Sequence, residues 1–228
     1  QIKYGDDFLQ KNGVLVWYIP EVMEKLTTAF RKHDKQSILF IAADLGHYVA
    51  DAHTPLHTTV NYDGQLTGQD GIHSFWESRL VEYLGSSFNY YAGEAIYLDD
   101  IPGETRRIIK ASNSLVESIL LVEKELHQQL PPDSLYLMDE KGNLIKNRAG
   151  IPIYSQRFIE LFNLNTNGMV EKQMQLAIKS TASFWYTAWV NAGKPDLSRL
   201  DPTDQTARNK CRLRKELRLI KKGKLLDI

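Results

Sequence analysis

Four histidines fall between positions 47 and 73: His47, His53, His57 and His73. Two of them have a carboxylate four residues further on, His47 with Asp51 in HYVAD and His73 with Glu77 in HSFWE. On a helix, residues i and i+4 share a face, with Cβ atoms about 5–6 Å apart. Each pair can therefore offer an imidazole nitrogen and a carboxylate oxygen to one cation or to neighbouring cations. His57 follows Asp51 by six positions and lies just past Pro55, so it has left the helix and can turn back toward the same centre. Mixed nitrogen and oxygen donors of this kind suit zinc. A single His–carboxylate pair at this spacing is ordinarily a surface ion pair. Two such pairs and a histidine after a proline break, all between 47 and 77, are harder to reach by chance.

Other chemistries have weaker support. HExxH is absent, as are the Glu-x-x-His pairs of di-iron bundles, a G-x-x-x-x-G-K-[ST] loop and a G-x-S-x-G elbow. His33-Asp34 reads as a helix terminus as readily as a catalytic dipeptide. His53 stands about 200° round the helix from Asp51 and is expected at the surface or behind a ligand. His127 is expected to be solvated.

The elements that would carry these residues are mostly helices. Pro20 with Glu21 can open a helix through VMEKLTTAFRK, which the residues 33–35 break. A second helix is expected over about 37–54, with Ser37 as N-cap and Pro55 as its stop. TTVNYDGQLTGQDG, residues 58–71, reads as a loop. Further helices are expected over about 72–84, 104–129, 166–192 and 202–222, with Pro131, Pro132, Gly193 and Pro195 as terminators. Residues 133–154 could form one small β-hairpin around Gly-Asn. No repeat of fixed period is expected. The fold class is therefore mostly α: a bundle-like helical domain with long loops.

With 228 residues and ordinary apolar and charged fractions, the chain can build a core without disulfides. The lone Cys211 cannot pair within the chain and reads as incidental. No apolar run is long enough to span a membrane, and QIKYGDDF has no signal-peptide core. The formal charge is zero, which argues against a chain that is basic throughout and coats nucleic acid. Residues 208–224 nevertheless hold nine Lys or Arg against one Glu, leaving an acidic body. That tail is either a solvated terminal helix or a contact for an acidic partner.

HYVADAHTPLH, a Gly/Asn loop and GIHSFWESRL together resemble the superfamily that joins bacterial zinc-dependent phospholipases C to single-strand-specific nucleases. The family motif is His-x3-Asp-x5-His with Pro-Leu before the last His, then His-x3-Glu or His-x3-Asp. It matches His47, Asp51, Pro55-Leu56, His57, His73 and Glu77 in register, over about 40 residues. The helix near 180–192 fits more loosely.

The resemblance implies a helical fold with up to three zinc ions in a cleft. His57, His73 and Glu77 would hold one zinc. His47 and Asp51 would serve the other two, with Asp51 bridging them as the catalytic carboxylate beneath a hydroxide that attacks phosphorus. Substrates would be phospholipid or single-stranded nucleic acid, and the protein would be secreted or periplasmic. Tyr62, Phe75, Tyr90 and Tyr91 could line either kind of substrate site or pack in the core. Family members carry further ligands upstream: an N-terminal Trp, two more His and an Asp. Between Gln1 and His47 this chain has only His33, and Trp17 is internal. The expectation is a zinc-hydrolase-like domain over residues 1–200 that lacks its N-terminal ligand segment, then a basic helix or tail over 201–228. Asp6 or Asp7 could substitute only if something fixed their position. The alternative is a non-catalytic helical domain that retains one zinc.

Overall fold

The computed structural model describes residues 13–200 and, beyond them, only Cys211, Arg214, Lys215 and Arg218. The terminal helix expected over 202–222, taken as a whole, lies outside the described residues, as do Asp6 and Asp7. Among the described residues the protein is mostly α, with no strand or sheet. No described helix is long and apolar enough to cross a membrane.

The first helix, α1 (Leu15–Arg31), begins five residues before Pro20 rather than at it. Pro20 is inside the helix, past its first turn, where its missing N–H leaves the Val16 carbonyl without an i+4 partner. The second helix, α2 (Lys35–His53), is capped by Asp34 rather than Ser37. The Asp34 carboxylate accepts both the Ser37 backbone N–H and its hydroxyl, at 3.2 and 2.7 Å. Asp34 keeps the extended backbone of a cap while Ser37 is already inside the helix. Pro55 stops α2 as expected, with Thr54 extended before it.

After the 58–71 loop comes α3, a continuous run of Ile72–Ser74, a π turn over Phe75–Arg79, and Leu80–Leu84. The long helix expected over 104–129 is two: α4 (Ile101–Asn113) and α5 (Val116–Gln129). Asp100 starts α4 by accepting the Gly103 N–H at 2.9 Å. Its end falls in Ala-Ser-Asn-Ser, where the Ser114 hydroxyl turns back to the Ala111 carbonyl at 2.6 Å. Such side-chain competition for backbone groups disfavours continuation. Helices α6 (Gln156–Asn165) and α7 (Met169–Asn191) complete the set.

The segment expected as a hairpin is instead three short extended pieces joined in a ring. Leu137 donates to Ile153, Ile153 to Ile145, and Ile145 to Leu137, each near 2.9 Å. Two turns with the same bonding link them, Asp139 accepting from Lys141 and Asn143, Asn147 accepting from Ala149 and Ile151. This is an eight-residue repeat, against the expectation that no repeat of fixed period would be found.

Two apolar clusters hold the fold. One unites α1, α2, α4 and the C-terminal half of α7, around Leu26, Leu45, Val49, Ile108 and Phe184. The other unites α3, α5, α6 and the N-terminal half of α7, around Ile72, Phe75, Leu80, Phe158 and Phe162. Each fully buried Leu, Ile or Phe contributes about 1.5–3 kcal/mol. Ala52 belongs to the first cluster and Leu56 to the second. The Pro55 turn thus crosses from one core to the other, and both cores fix its ends.

Candidate metal centre

Three ligand atoms converge beside that turn. His57 and His73 approach Nε2 to Nε2 at 3.0 Å. Glu77 Oε1 lies 2.9 Å from His57 Nε2 and 3.2 Å from His73 Nε2. Two ring nitrogens this close repel unless a proton or a cation lies between them. For donors about 2.0–2.1 Å from a tetrahedral zinc, the expected separation is about 3.3 Å. The observed triangle is only slightly tighter than that, so the donor set fits a zinc-sized cation.

Each ligand is placed by a different local device. His57 sits in a 3-10 turn, Pro55–Thr58, where its N–H bonds the Thr54 carbonyl at 3.1 Å. Asn113, at the end of α4, donates to the Thr58 carbonyl at 2.9 Å and pins the turn from outside. His73 and Glu77 share one face of α3, as their spacing predicts. Glu77 lies within the π turn, a local widening that often accompanies functional sites. The start of α3 depends on Asp63, whose Oδ1 accepts the N–H groups of Gly71 and His73 at 3.1 and 3.2 Å. Gly71 is left-handed there, at φ 93.

Of the five ligand positions, the structure brings His57, His73 and Glu77 to one point. His47 and Asp51 stand beside it. Asp51 Oδ1 is 3.3 Å from His57 Nδ1, and its Oδ2 is 3.4 Å from His47 Nε2. The His47 side chain is 68 % exposed, at the rim of the site. Asp51 is therefore shared between the two imidazoles.

These contacts reset the local electrostatics. Hydrogen bonds that His57 donates to Asp51 and then to Glu77 push it up to about 9 against its burial. His57 and then His73 hold Glu77 down to about 2. Both shifts describe the same ion pair: Glu77 is held as the anion beside a protonated His57, whose proton a cation would have to replace.

The remaining histidines differ from expectation. His53 is buried rather than at the surface, with Nε2 2.9 Å from the Ser180 hydroxyl on α7. Burial lowers it to about 4. His127 is not simply solvated, because Nδ1 meets Glu123 at 2.7 Å and Nε2 meets the Tyr136 hydroxyl at 2.7 Å. His33 lies just past the end of α1, at φ 52. Among the aromatics, Phe75 is core, edge-on to Tyr154, Phe158 and Phe162. Tyr62 is exposed, with its ring 6.1 Å from that of His73. Tyr90 and Tyr91 are exposed as well.

Asp63 carries little signal in the sequence. The Asn-Tyr-Asp-Gly turn was its only signal, and that signal announces a turn rather than a cap eight residues on. Fold and site together define a mostly helical protein with a His-His-Glu group at metal-binding distance. Comparison with family models, curated proteins and solved structures finds no match to this chain.

Proposed function

We propose that this chain is a zinc-dependent hydrolase of phosphoester bonds, akin to the zinc phospholipases C and single-strand-specific nucleases that its motif resembles. The observation that carries this reading is the convergence of His57 Nε2, His73 Nε2 and Glu77 Oε1 to within about 3 Å of one another. A zinc in such a site polarises a phosphoryl oxygen and acidifies water at neutral pH.

The protein's own residues prepare that chemistry. Asp51 accepts the Nδ1–H of His57, fixing the tautomer that leaves Nε2 free as a donor. Glu77 offsets cationic charge at the same point. The exposed Tyr62 edge beside His73 offers one wall for a substrate. A cavity of about 310 Å³, lined in part by Glu77, Trp76, Val81, Tyr90 and Met174, offers another. A lipid moiety and a stacked base are both compatible with these walls, so the substrate is a phospholipid or single-stranded nucleic acid.

The test combines zinc content by mass spectrometry with hydrolysis of bis(4-nitrophenyl) phosphate. Bound zinc with turnover that vanishes in His57→Ala supports the enzyme. A second reading is a helical domain that holds one zinc without turnover. It is favoured by the finding that only three of the five motif donors meet at one point. Zinc without hydrolysis selects it, and a chain that binds no zinc removes both.

A further inference from the structure

The loop between the two ligand-bearing elements is tied to a buried carboxylate elsewhere in the fold. Glu123 on α5 is 1 % exposed. Its carboxylate accepts from the Gln69 side-chain amide, from the Tyr154 hydroxyl at 2.6 Å and from His127 Nδ1 at 2.7 Å. A carboxylate so deeply buried is tolerated only when donors surround it. One of the three comes from the 58–71 loop, and the same Gln69 amide also donates to the Leu120 carbonyl at 2.8 Å.

From Gln69 the connection runs to the metal centre. The Gln69 N–H bonds the Gly64 carbonyl at 3.0 Å, and the Gln69 carbonyl accepts the Ile72 N–H at 3.3 Å. Gly64 directly follows Asp63, whose carboxylate takes the His73 N–H. Replacing this network with apolar packing would hold the loop nearly as well in energy. What the carboxylate adds is direction, because each donor has to arrive at a set angle.

We propose that Glu123 and Gln69 are positioning residues for His73, holding the loop in the register that aims its Nε2 at His57 and Glu77. This inference rests on the metal-site reading above.

The test is a Co(II) titration of the full chain, read by visible absorption, with zinc affinity from chelator competition. Gln69→Met keeps the side-chain length and removes both amide hydrogens. It should weaken zinc by up to about 10-fold, at the low end of what a partner bonded directly to a ligand contributes, and should alter the Co(II) spectrum. Tyr154→Phe removes a donor from the same carboxylate but not from the path to His73. It should lower thermal stability while leaving affinity within about two-fold, since its hydrogen bond lies off that path. Gln69→Asn, whose amide falls short of Glu123, should repeat the Met result if the Met variant does not fold. Wild-type spectra and affinity in a folded Gln69 variant overturn the proposal, as does an equal loss of affinity in Tyr154→Phe. Failure of the wild type to bind Co(II) removes the metal-site reading, and this inference with it.

Discussion

Asp51 Oδ1 lies 3.3 Å from Nδ1 of His57, on the side of the ring turned away from Glu77. Had α2 continued past His53, this pair could not exist. Six residues along a helix amount to about 9 Å of rise and about 240° of net rotation. The break at Thr54 and Pro55 folds the chain back so that a ligand candidate and the carboxylate behind it come from one short stretch. Both flanks are anchored, Ala52 in one apolar cluster and Leu56 in the other.

The Asp51 contact makes the first prediction. Asp51→Asn keeps the shape but replaces an ionised acceptor with a neutral amide. His57 then loses the partner that fixes its tautomer and raises its basicity. Zinc affinity should fall about 10–100-fold, measured by competition with a chromogenic chelator, with helical content unchanged by circular dichroism. Unchanged affinity would show that Asp51 does not support His57.

The pH dependence of stability follows from three histidine and carboxylate shifts. His57 is raised to about 9, so its contribution to the metal-free fold is full below about 6.5 and is lost as pH rises through 9. His53 is lowered to about 4, so its contribution is present above about 6.5 and is lost as pH falls through 4. Glu77, held near 2, adds stability above about 4.5 that disappears on further acidification. The metal-free protein should therefore be most stable near pH 6.5. Zinc must displace the His57 proton, so its affinity should rise roughly tenfold per pH unit up to about 9. Urea titrations with and without zinc from pH 4 to 9 check both limbs. A stability curve without zinc that climbs from pH 6.5 to 9 would contradict the assignment of His57.

Tyr62 tests the substrate wall. The residue is 53 % exposed and its ring meets His73 only edge-on. Tyr62→Ala should change stability by less than about 0.5 kcal/mol. If the ring stacks a base, KM for a single-stranded oligonucleotide should rise about 5–150-fold, matching about 1–3 kcal/mol of stacking. An unchanged KM for oligonucleotides, alongside a raised KM for phospholipid micelles, would point to the lipid instead.

Much of the site could be read from spacing, and the rest could not for physical reasons. The i,i+4 pairs and the Pro55 break depend on local geometry alone, so His47, Asp51, His57, His73 and Glu77 were all visible in advance. The helical class was legible for the same reason. The split between α4 and α5 was not, because it turns on Ser114 and Asn113 choosing backbone partners that a periodic pattern ignores. The burial of His53 depends on Ser180, 127 residues away. The role of Asp63 depends on the loop closing over eight residues to reach Gly71. Such long-range partners have no signature in local sequence.

The closing of that loop yields the last prediction, a contrast between two of its glycines. Gly64 and Gly68 both have positive φ, 76 and 72. At either position an alanine costs about 1–2 kcal/mol for the left-handed backbone. At Gly68 nothing lies within 4 Å of an added Cβ, so that cost is the whole effect. At Gly64 the added carbon would fall 2.3 Å from the Gln69 carbonyl oxygen, a backbone atom that cannot swing aside. The turn must then open, and Asp63, one residue earlier, moves away from the His73 N–H. Gly68→Ala should thus lose only its backbone cost and keep wild-type zinc affinity. Gly64→Ala should lose more stability and weaken zinc as well, both read from denaturation and chelator competition on the same samples. Equal zinc affinities in the two variants would mean that the loop does not set the position of His73.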